Sequence, residues 1–232
     1  MPVAEPKHVY TIELRQAVYT DETFDIYNRY EKHVHKKERT SKEMHNHICC
    51  SPVYVPEYER DKFIMERESP VNFEKIDEGR VSKNEGINPG MGSYHFQHRI
   101  DGKLFAVGVT DFTNTMLNSQ YLIYDPDYSF LSPGVLSAIH EIEYARMVRK
   151  KHNPNMLWYA LGELVLDAPK VNYKLNYKPG YVICPRTHQI VPFDEVKDKM
   201  RHYSRLPWNY KKQHLTSTAL VDLPHGYKTE FE

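Results

Sequence analysis

The hydrophobic positions along the chain change their period from two to about four and back again, which predicts strands that alternate with helices. Residues 9–19, VYTIELRQAVY, are rich in β-branched and aromatic residues and predict a strand. A helix is predicted next, because Phe24, Tyr27 and Val34 recur at helical spacing. The charged segment KKERTSKEMHNH predicts a loop with a short helix, and the segment after it predicts an irregular connection with one strand.

From residue 93 onward the pattern is more regular. SYHFQHRI and KLFAVGVTDF predict the two strands of a hairpin, since Asp101 and Gly102 between them tolerate the positive φ of a tight turn. SQYLIYD, at residues 119–125, predicts a third strand. MLWYALGELVL, at residues 156–166, is nearly all apolar and therefore predicts a central strand of the sheet.

The segment between the last two strands predicts a long helix over residues 133–152. Its apolar residues fall on one stripe, and basic residues gather at its C-terminal end, where they suit the helix dipole. The stripe consists of Val135, Ala138, Ile139, Ile142 and Ala145. Residues 168–193 predict a basic aromatic turn with one or two strands.

This order of elements predicts an α/β fold, a mixed sheet flanked by helices in a single domain. We expect the domain to span residues 9–205, with a polar lead at residues 1–8 and a loose polar tail at residues 206–232. The length of 232 residues suits one such domain and allows a sizeable core.

Composition narrows the class of protein. Hydrophobic residues make up 40% of the chain and charged residues 27%, which is typical of a globular protein and excludes a disordered one. Lys and Arg balance Asp and Glu at 31 each, so the chain is not basic overall, although a local basic face stays open. No apolar run is long enough for a membrane span, and we expect no membrane association.

The three cysteines predict a reducing compartment, since Cys49, Cys50 and Cys184 form neither a disulfide framework nor a CxxC pair. The N-terminal residues lack the apolar region of a secretory signal, so we expect a cytoplasmic protein, with the nucleus as a second location. The segment HNHICC offers soft metal ligands, but no second cluster accompanies it. We therefore predict buried cysteines there, with no metal and no cofactor.

The stretch YDPDYSFLSPGV joins the third strand to the long helix and places two carboxylates beside a helix start. Ser132 is positioned to cap this helix and Pro133 fits its first position, while the free N–H groups there favour an anion. Two interpretations stay open. Asp125 and Asp127 either stabilise a turn before a capped helix, or flank a phosphate seat where they hold an ammonium group.

Two further segments carry candidate binding residues. Lys170 and Lys174 alternate with Tyr173, which suits either a phosphate backbone with unstacked bases or a solvated strand edge. On the strand at residues 93–100, period two places three polar side chains on one face, which lines either a cleft or an exposed surface. These three are His95, Gln97 and Arg99.

Several separate segments resemble, in the same order, the C-terminal domain of arginyl-tRNA–protein transferases, which are relatives of the bacterial leucyl/aspartate-glutamate transferases. The segments are IELRQAVYTDETFDIYNRYEKHVHK, HICCSPV, GMGSYHFQHRIDGKLFAVGVTDF, YLIYDPDYSFLSPGVLSAIHEIEYAR, and APKVNYKLNYKP with YVICPRTHQIVPF. The resemblance covers roughly residues 10–195.

The resemblance implies a GNAT-like fold and the transfer of arginine from arginyl-tRNA to the N-terminal amine of acceptor proteins. The implied acceptors begin with Asp, Glu or oxidised Cys, and the product is marked for N-degron degradation. The implied chemistry is aminolysis of an ester, in which a neutral amine attacks, an oxyanion is stabilised and the ribose hydroxyl leaves. No cofactor is implied.

On this resemblance the acidic turn carries the chemistry. Asp125 or Asp127 holds the arginyl cation or takes the amine proton, and Tyr124 orients them. The helix start at Ser132 and Gly134 holds the tRNA terminus or a developing negative charge. Candidates for the tRNA acceptor arm are Lys170, Tyr173 and Lys174. Candidates for a substrate cleft are His95, Gln97 and Arg99, with Arg99 as the partner of an acidic acceptor residue.

The sequence also departs from the family pattern. The family's cysteine-rich N-terminal domain is absent from these residues, and Pro133 and Glu163 stand where aliphatic and aromatic residues are usual. Two rival functions stay open: a non-catalytic relative that binds tRNA or protein N-termini, and an acyl-CoA-dependent N-acyltransferase. The single glycine of the turn argues against the second, because that class uses a Gly-rich pyrophosphate turn.

Overall fold

The structure, a computed structural model, describes residues 7–53, 71–77, 80–82, 90–162, 164, 173–178, 180–183 and 189–204. The chain divides into two compact units, residues 1–162 and 163–232. The predicted domain, residues 9–205, extends across this division, so its bounds stay a prediction. The predicted polar tail lies outside the described residues.

A seven-stranded mixed sheet is the framework of the first unit. In chain order its strands are β1 (Tyr10–Gln16), β2 (Val71–Asp77), β3 (Arg80–Ser82), β4 (Gly92–Ile100), β5 (Lys103–Phe112), β6 (Met116–Tyr124) and β7 (Trp158–Ala160). They lie side by side in the order β3-β2-β1-β4-β5-β6-β7. All neighbours are antiparallel except β6 and β7, which are parallel.

Within the described residues of this unit, three α-helices accompany the sheet: α1 (Asp21–Tyr30), α2 (Ser41–Met44) and α3 (Pro133–Lys151). A π-helical turn extends α1 over Glu31–His35 and another extends α2 over His45–Cys49. A 3-10 helix, Pro126–Leu131, links β6 to α3. The mixed sheet and its helices confirm the predicted α/β class. None of the helices in the described ranges is long and apolar enough to cross a membrane.

Hydrophobic clusters cover both faces of the sheet. Phe96 of β4 and Phe112 of β5 meet Tyr144 of α3 in a cluster of aromatic edges on one face. On the other face, the cluster joins strand residues to α1 and the α2 region, and its members are Ile26, Tyr27, Met44, Ile48, Leu104, Val107, Val109 and Ile123. The central strands are therefore buried on both sides.

The predicted hairpin between β4 and β5 is confirmed. Asp101 and Gly102 have φ angles of 50° and 82°, the left-handed conformations that the two central positions of this tight turn require. The Asp101 carboxylate accepts from the Val9 N–H at 2.8 Å, which ties the turn to the start of β1.

Two sequence predictions are wrong, one about the position of β7 in the sheet and one about the buried face of α3. β7 is the last strand in the sheet order and not a central one, because the chain crosses over after β6 and pairs over only three residues. On α3, Val135 and Ile139 of the predicted stripe are 40% and 49% exposed. The buried face of α3 is rotated relative to the predicted stripe, and it contains polar residues with partners on the sheet. It includes Ser137, Ala138, Glu141, Tyr144, Ala145 and Val148.

The second unit contains a two-stranded antiparallel sheet of β8 (Tyr181–Ile183) and β9 (Ile190–Pro192). It also contains a 3-10 helix, Tyr173–Asn176, and α4 (Phe193–Ser204). The strands agree with the prediction, whereas α4 was not predicted. Its signal was present in the sequence, since Phe193, Val196, Met200 and Tyr203 recur at helical spacing.

Acid sensitivity follows from the burial of His95. Burial lowers the pKa of His95 from 6.5 to about 4, although its bond to the Ile48 carbonyl raises it. The pKa of His95 is lower in the folded state than in the unfolded state. The protein therefore keeps its full stability above the unfolded-state pKa and loses stability as the pH falls. We expect the loss from His95 between pH 6.5 and pH 4 to be about 3 kcal/mol.

Urea unfolding of His95→Gln and wild type across this pH range measures the effect. The variant should lose less stability on acidification, and the same change at the exposed His33 should leave the wild-type pH dependence intact. Equal acid sensitivity of His95→Gln and wild type would contradict the prediction.

Candidate active site

The acidic turn at the end of β6 is anchored through Asp125. Its N–H donates to the Phe105 carbonyl at 2.7 Å, and its own carbonyl accepts from the Tyr128 N–H at 2.9 Å. Its carboxylate Oδ1 accepts from the Asp127 N–H at 3.1 Å. Asp125 is therefore the N-cap of the 3-10 helix Pro126–Leu131, which the sequence analysis did not predict.

Arg29 of α1 bridges both aspartates. Its Nη1 donates to Asp125 Oδ2 at 2.6 Å and its Nη2 donates to Asp127 Oδ2 at 2.9 Å. The Asp125 side chain is 1% exposed and that of Asp127 is 77% exposed. Lys103 Nζ lies 3.6 Å from Asp125, so two cations balance two carboxylates. Arg29 was not predicted from the sequence, because it lies 96 positions before Asp125.

Aromatic rings surround this turn. The Tyr124 ring meets the Tyr30 ring edge-on at 5.1 Å, which fixes Tyr124 beside the end of α1. Tyr128 packs against Phe105 at 5.1 Å, and Lys103 Nζ lies 5.3 Å from its ring centroid. The turn therefore presents the exposed carboxylate of Asp127 among cationic and aromatic side chains.

The start of α3 differs from the prediction at Ser132. This residue has φ 51°, and its side chain makes no capping hydrogen bond. Its carbonyl accepts from the N–H groups of Val135 and Leu136, which are the first hydrogen bonds of the helix. Pro133 is the first residue of α3 as predicted, and Gly134 follows it.

The β4 face that carries the other candidates is packed under helices. His95 is fully buried, and its Nε2 lies 2.8 Å from the Ile48 carbonyl. Gln97 is 4% exposed, and its Oε1 accepts from Arg99 at 3.0 Å. The Arg99 guanidinium holds both oxygens of Glu22, at 2.8 and 2.7 Å. Gln97 and Arg99 thus share a network with Glu22, whereas His95 bonds the Ile48 carbonyl separately. The substrate roles of all three stay predictions.

The remaining candidates lie beyond residue 162. Tyr173 and Lys174 belong to the 3-10 helix of the second unit, where the Tyr173 ring meets that of Tyr177 edge-on. Lys170 and Glu163 lie outside the described residues. The proposed contact of these lysines with tRNA stays a prediction.

The HNHICC segment forms the end of α2 and its π-helical turn. The prediction of buried cysteines there is wrong, because Cys49 is half-buried and Cys50 is exposed at the end of the segment. His45 Nδ1 lies 3.5 Å from Cys50 Sγ, and burial raises the pKa of the Cys49 thiol to about 11. This thiol is protonated at neutral pH and is a poor metal ligand in that form. Within the described ranges, no three His, Cys, Asp or Glu side chains are grouped to hold a metal ion.

Comparison with known proteins gives these features a class. Residues 22–184 match the family described as arginine-tRNA-protein transferase, C terminus. Arginyl-tRNA–protein transferase 1 of Arabidopsis thaliana is 35% identical over 187 residues, 80% of this chain and 26% of that protein. The namesake of Drosophila melanogaster is 30% identical over 82% of this chain and 34% of its own length. The aspartate/glutamate leucyltransferase of Hahella chejuensis is 26% identical over 75% of this chain and 57% of its own length.

The matched residues contain α1 with Arg29, the strands β4 to β6, the acidic turn and α3, and they define an aminoacyl-tRNA–protein transferase domain. The chain belongs to the arginyl-tRNA–protein transferase family through the C-terminal part of that family. It spans between about a quarter and two fifths of the length of its eukaryotic relatives, 26% to 39% in the first three.

A possible acetyltransferase from Clostridium difficile 630 is a structural neighbour, with a TM-score of 0.35 and 12% identity over 72% of this chain and 90% of that chain. A similarity at this level supports no conclusion. The GNAT-like fold stays a prediction from the resemblance.

The two aspartates should differ in their effect on stability. Asp125→Asn removes one partner of a buried ion pair and should lower the free energy of unfolding by about 1–3 kcal/mol. Asp127→Asn removes an exposed partner and should cost less than about 1 kcal/mol. Urea unfolding at neutral pH compares them. Equal losses, or a larger loss at Asp127, would contradict the assignment of Asp125 as the anchor of the turn.

Proposed function

We propose that this chain is the arginyl-transfer domain of an arginyl-tRNA–protein transferase. It moves arginine from charged tRNA to the N-terminal amine of an acceptor protein. The observation that carries the proposal is the family match over residues 22–184, which includes the whole acidic turn. The 35% identity to an Arabidopsis arginyl-tRNA–protein transferase over 80% of this chain supports it.

The reaction sets three chemical requirements. The acceptor α-ammonium first loses a proton, because only the neutral amine has the electron pair that attacks the ester carbon. A C–N bond forms and the carbonyl oxygen becomes an oxyanion, which needs donors or cations beside it. The C–O bond to the ribose then breaks, and the second proton of the amine balances the charge on the leaving oxygen.

Within this proposal Asp127 contacts the substrate and Asp125 positions it. Asp127 is exposed, and only one of its oxygens holds Arg29. Its other oxygen can receive the guanidinium or ammonium group of the arginyl ester. Asp125 is buried under Arg29 and Lys103, and it fixes the turn that carries Asp127.

We propose acceptors with N-terminal Asp, Glu or oxidised Cys, in the cytoplasm and the N-degron pathway. The name of the Hahella relative, an aspartate/glutamate leucyltransferase, supports acidic acceptor residues. The free cysteines Cys49 and Cys50 suit a reducing compartment.

A second candidate is a non-catalytic relative that binds charged tRNA or protein N-termini. The observation that favours it is the contact of Arg29 with both aspartates, since an internal guanidinium already occupies the carboxylates that would meet the arginyl group.

Arginine transfer by the purified chain separates the two candidates. We expect a peptide with N-terminal Asp to gain the mass of one arginine residue when it is incubated with the chain and arginyl-tRNA. An acetylated copy of the peptide should gain nothing, because its nitrogen cannot attack. No mass gain, with charged tRNA still retained in a gel shift, would contradict transfer and favour the binding relative.

The acidic turn has its own test in the same assay. Asp127→Ala should lower the rate of transfer more than it lowers tRNA affinity, because the carboxylate meets the arginyl group and not the tRNA backbone. Asp25→Ala, at an exposed acid of α1, is the matched control. An unchanged transfer rate in Asp127→Ala would reject this role for Asp127.

A further inference from the structure

A line of hydrogen bonds crosses the face of the sheet under α3. The Tyr10 hydroxyl lies 2.6 Å from His98 Nδ1, and His98 Nε2 lies 3.0 Å from Ser137 Oγ. Ser137 Oγ donates to Glu141 Oε1 at 2.5 Å. The Tyr159 hydroxyl donates to Glu141 Oε2 at 2.7 Å. The line thus runs from β1 through β4 and α3 to β7.

The protons along this line all point toward Glu141. Ser137 has a single hydroxyl proton, which it donates to Glu141, so it can only accept from His98. Burial lowers the pKa of His98 to about 3, so this ring is neutral and its one N–H is at Nε2. Nδ1 is then an acceptor, and Tyr10 donates to it. The network is therefore arranged for a Glu141 carboxylate that accepts.

The sheet makes room for this carboxylate at Gly108. A Cβ on Gly108 would lie 2.6 Å from Glu141 Oε1 and 2.7 Å from Ser137 Oγ, closer than real contacts allow. Only glycine lets both oxygens approach the strand. The buried carboxylate and hydroxyl therefore occupy a space that β5 leaves for them.

The site lies where the parallel strands separate. Pairing of β6 with β7 ends at Asn118 and Ala160. Ser119, the next residue of β6, also hydrogen-bonds Glu141, and both Ser119 and Tyr159 are half-buried. The Glu141 carboxylate is 1% exposed, and the hydroxyl groups of Ser119 and Tyr159 thus link it to a less buried part of the sheet.

Burial and hydrogen bonds shift the pKa of the Glu141 carboxyl in opposite directions. Burial raises the pKa of its carboxyl above the ordinary value, while the bonds from Ser137, Tyr159 and Ser119 lower it. The titratable neighbours are Tyr10, His98, His140 and Tyr159. Burial also lowers the pKa of His140, and it lowers that of His98 to about 3, so His98 stays neutral where a glutamate with a raised pKa titrates.

We propose that Glu141 accepts the proton that the acceptor α-ammonium must lose before transfer, with Tyr159 as the hydroxyl that passes it on. The ammonium N–H bond breaks and its proton joins Tyr159 Oη, while the Tyr159 hydroxyl proton moves to Glu141 Oε2. The products are a neutral amine, an intact tyrosine and a protonated Glu141, which later releases its proton to water. Glu141 acts through Tyr159 and is a positioning residue. This inference rests on the proposed arginine transfer.

A titration that needs no activity tests the proton site. In a chain with ¹³C-labelled glutamate carboxyls, the signal that disappears in Glu141→Gln should titrate at a higher pH than free glutamate. In Tyr159→Phe that signal should titrate at a still higher pH, because a donor to the charged form is lost. An assigned Glu141 signal that titrates in the ordinary range, or that ignores Tyr159→Phe, would overturn the proposal.

Transfer kinetics test its use in the reaction. Glu141→Gln should lower the single-turnover rate by about 10²–10⁴-fold and remove the acid limb of its pH profile, with tRNA binding retained. Tyr159→Phe keeps the ring and should act similarly, and the double variant should be no slower than the slower single one. Glu143→Gln, the same change at an exposed position of α3, should transfer like wild type.

The outcomes separate this inference from the proposed function. Folded Glu141→Gln and Tyr159→Phe variants that transfer at the wild-type rate with the wild-type pH profile would overturn the inference, while arginine transfer stands. A wild-type chain that transfers no arginine counts against the proposed function instead, and the carboxyl titration then decides the proton-accepting site by itself.

Discussion

The burial of β4 and β5 on both faces is the constraint on which the rest of the first unit depends. Helices α1 and α2 cover one face and α3 covers the other, so each polar side chain on these strands needs an internal partner. His95 finds the Ile48 carbonyl and Arg99 finds Glu22. On the other face His98 finds Ser137. The same need for partners thus explains the contacts of His95, Arg99 and His98.

Two polar networks contact β6, one after its last residue and one near its middle. The acidic turn follows its last residue, and Ser119, which meets Glu141, lies six residues before Asp125, roughly 20 Å along an extended strand. In the proposed reaction the turn holds a cation and the buried carboxylate accepts a proton, so the two networks have different electrostatic tasks.

The sequence predicted the elements whose signals are local. The β4–β5 hairpin followed from Asp101-Gly102, and the start of α3 followed from Pro133. Predictions failed where the partner is distant in sequence. Arg29 could not be linked to Asp125. Glu141 was not identified as a candidate, because its partners lie on β6, β7 and beside Gly108. A serine and a glutamate at i and i+4, opposite a strand glycine, were the available signal for that site.

Binding of a non-hydrolysable substrate analogue tests most directly whether this sheet is the site of transfer. The analogue is adenosine with arginine attached by an amide in place of the 3′ ester, titrated into ¹⁵N-labelled chain and followed by NMR. The account predicts amide shifts at Asp127 and Tyr128 of the acidic turn and at Ser119 and Tyr159. Binding with no shifts in residues 1–162, or no binding at concentrations where charged tRNA is retained, would contradict it.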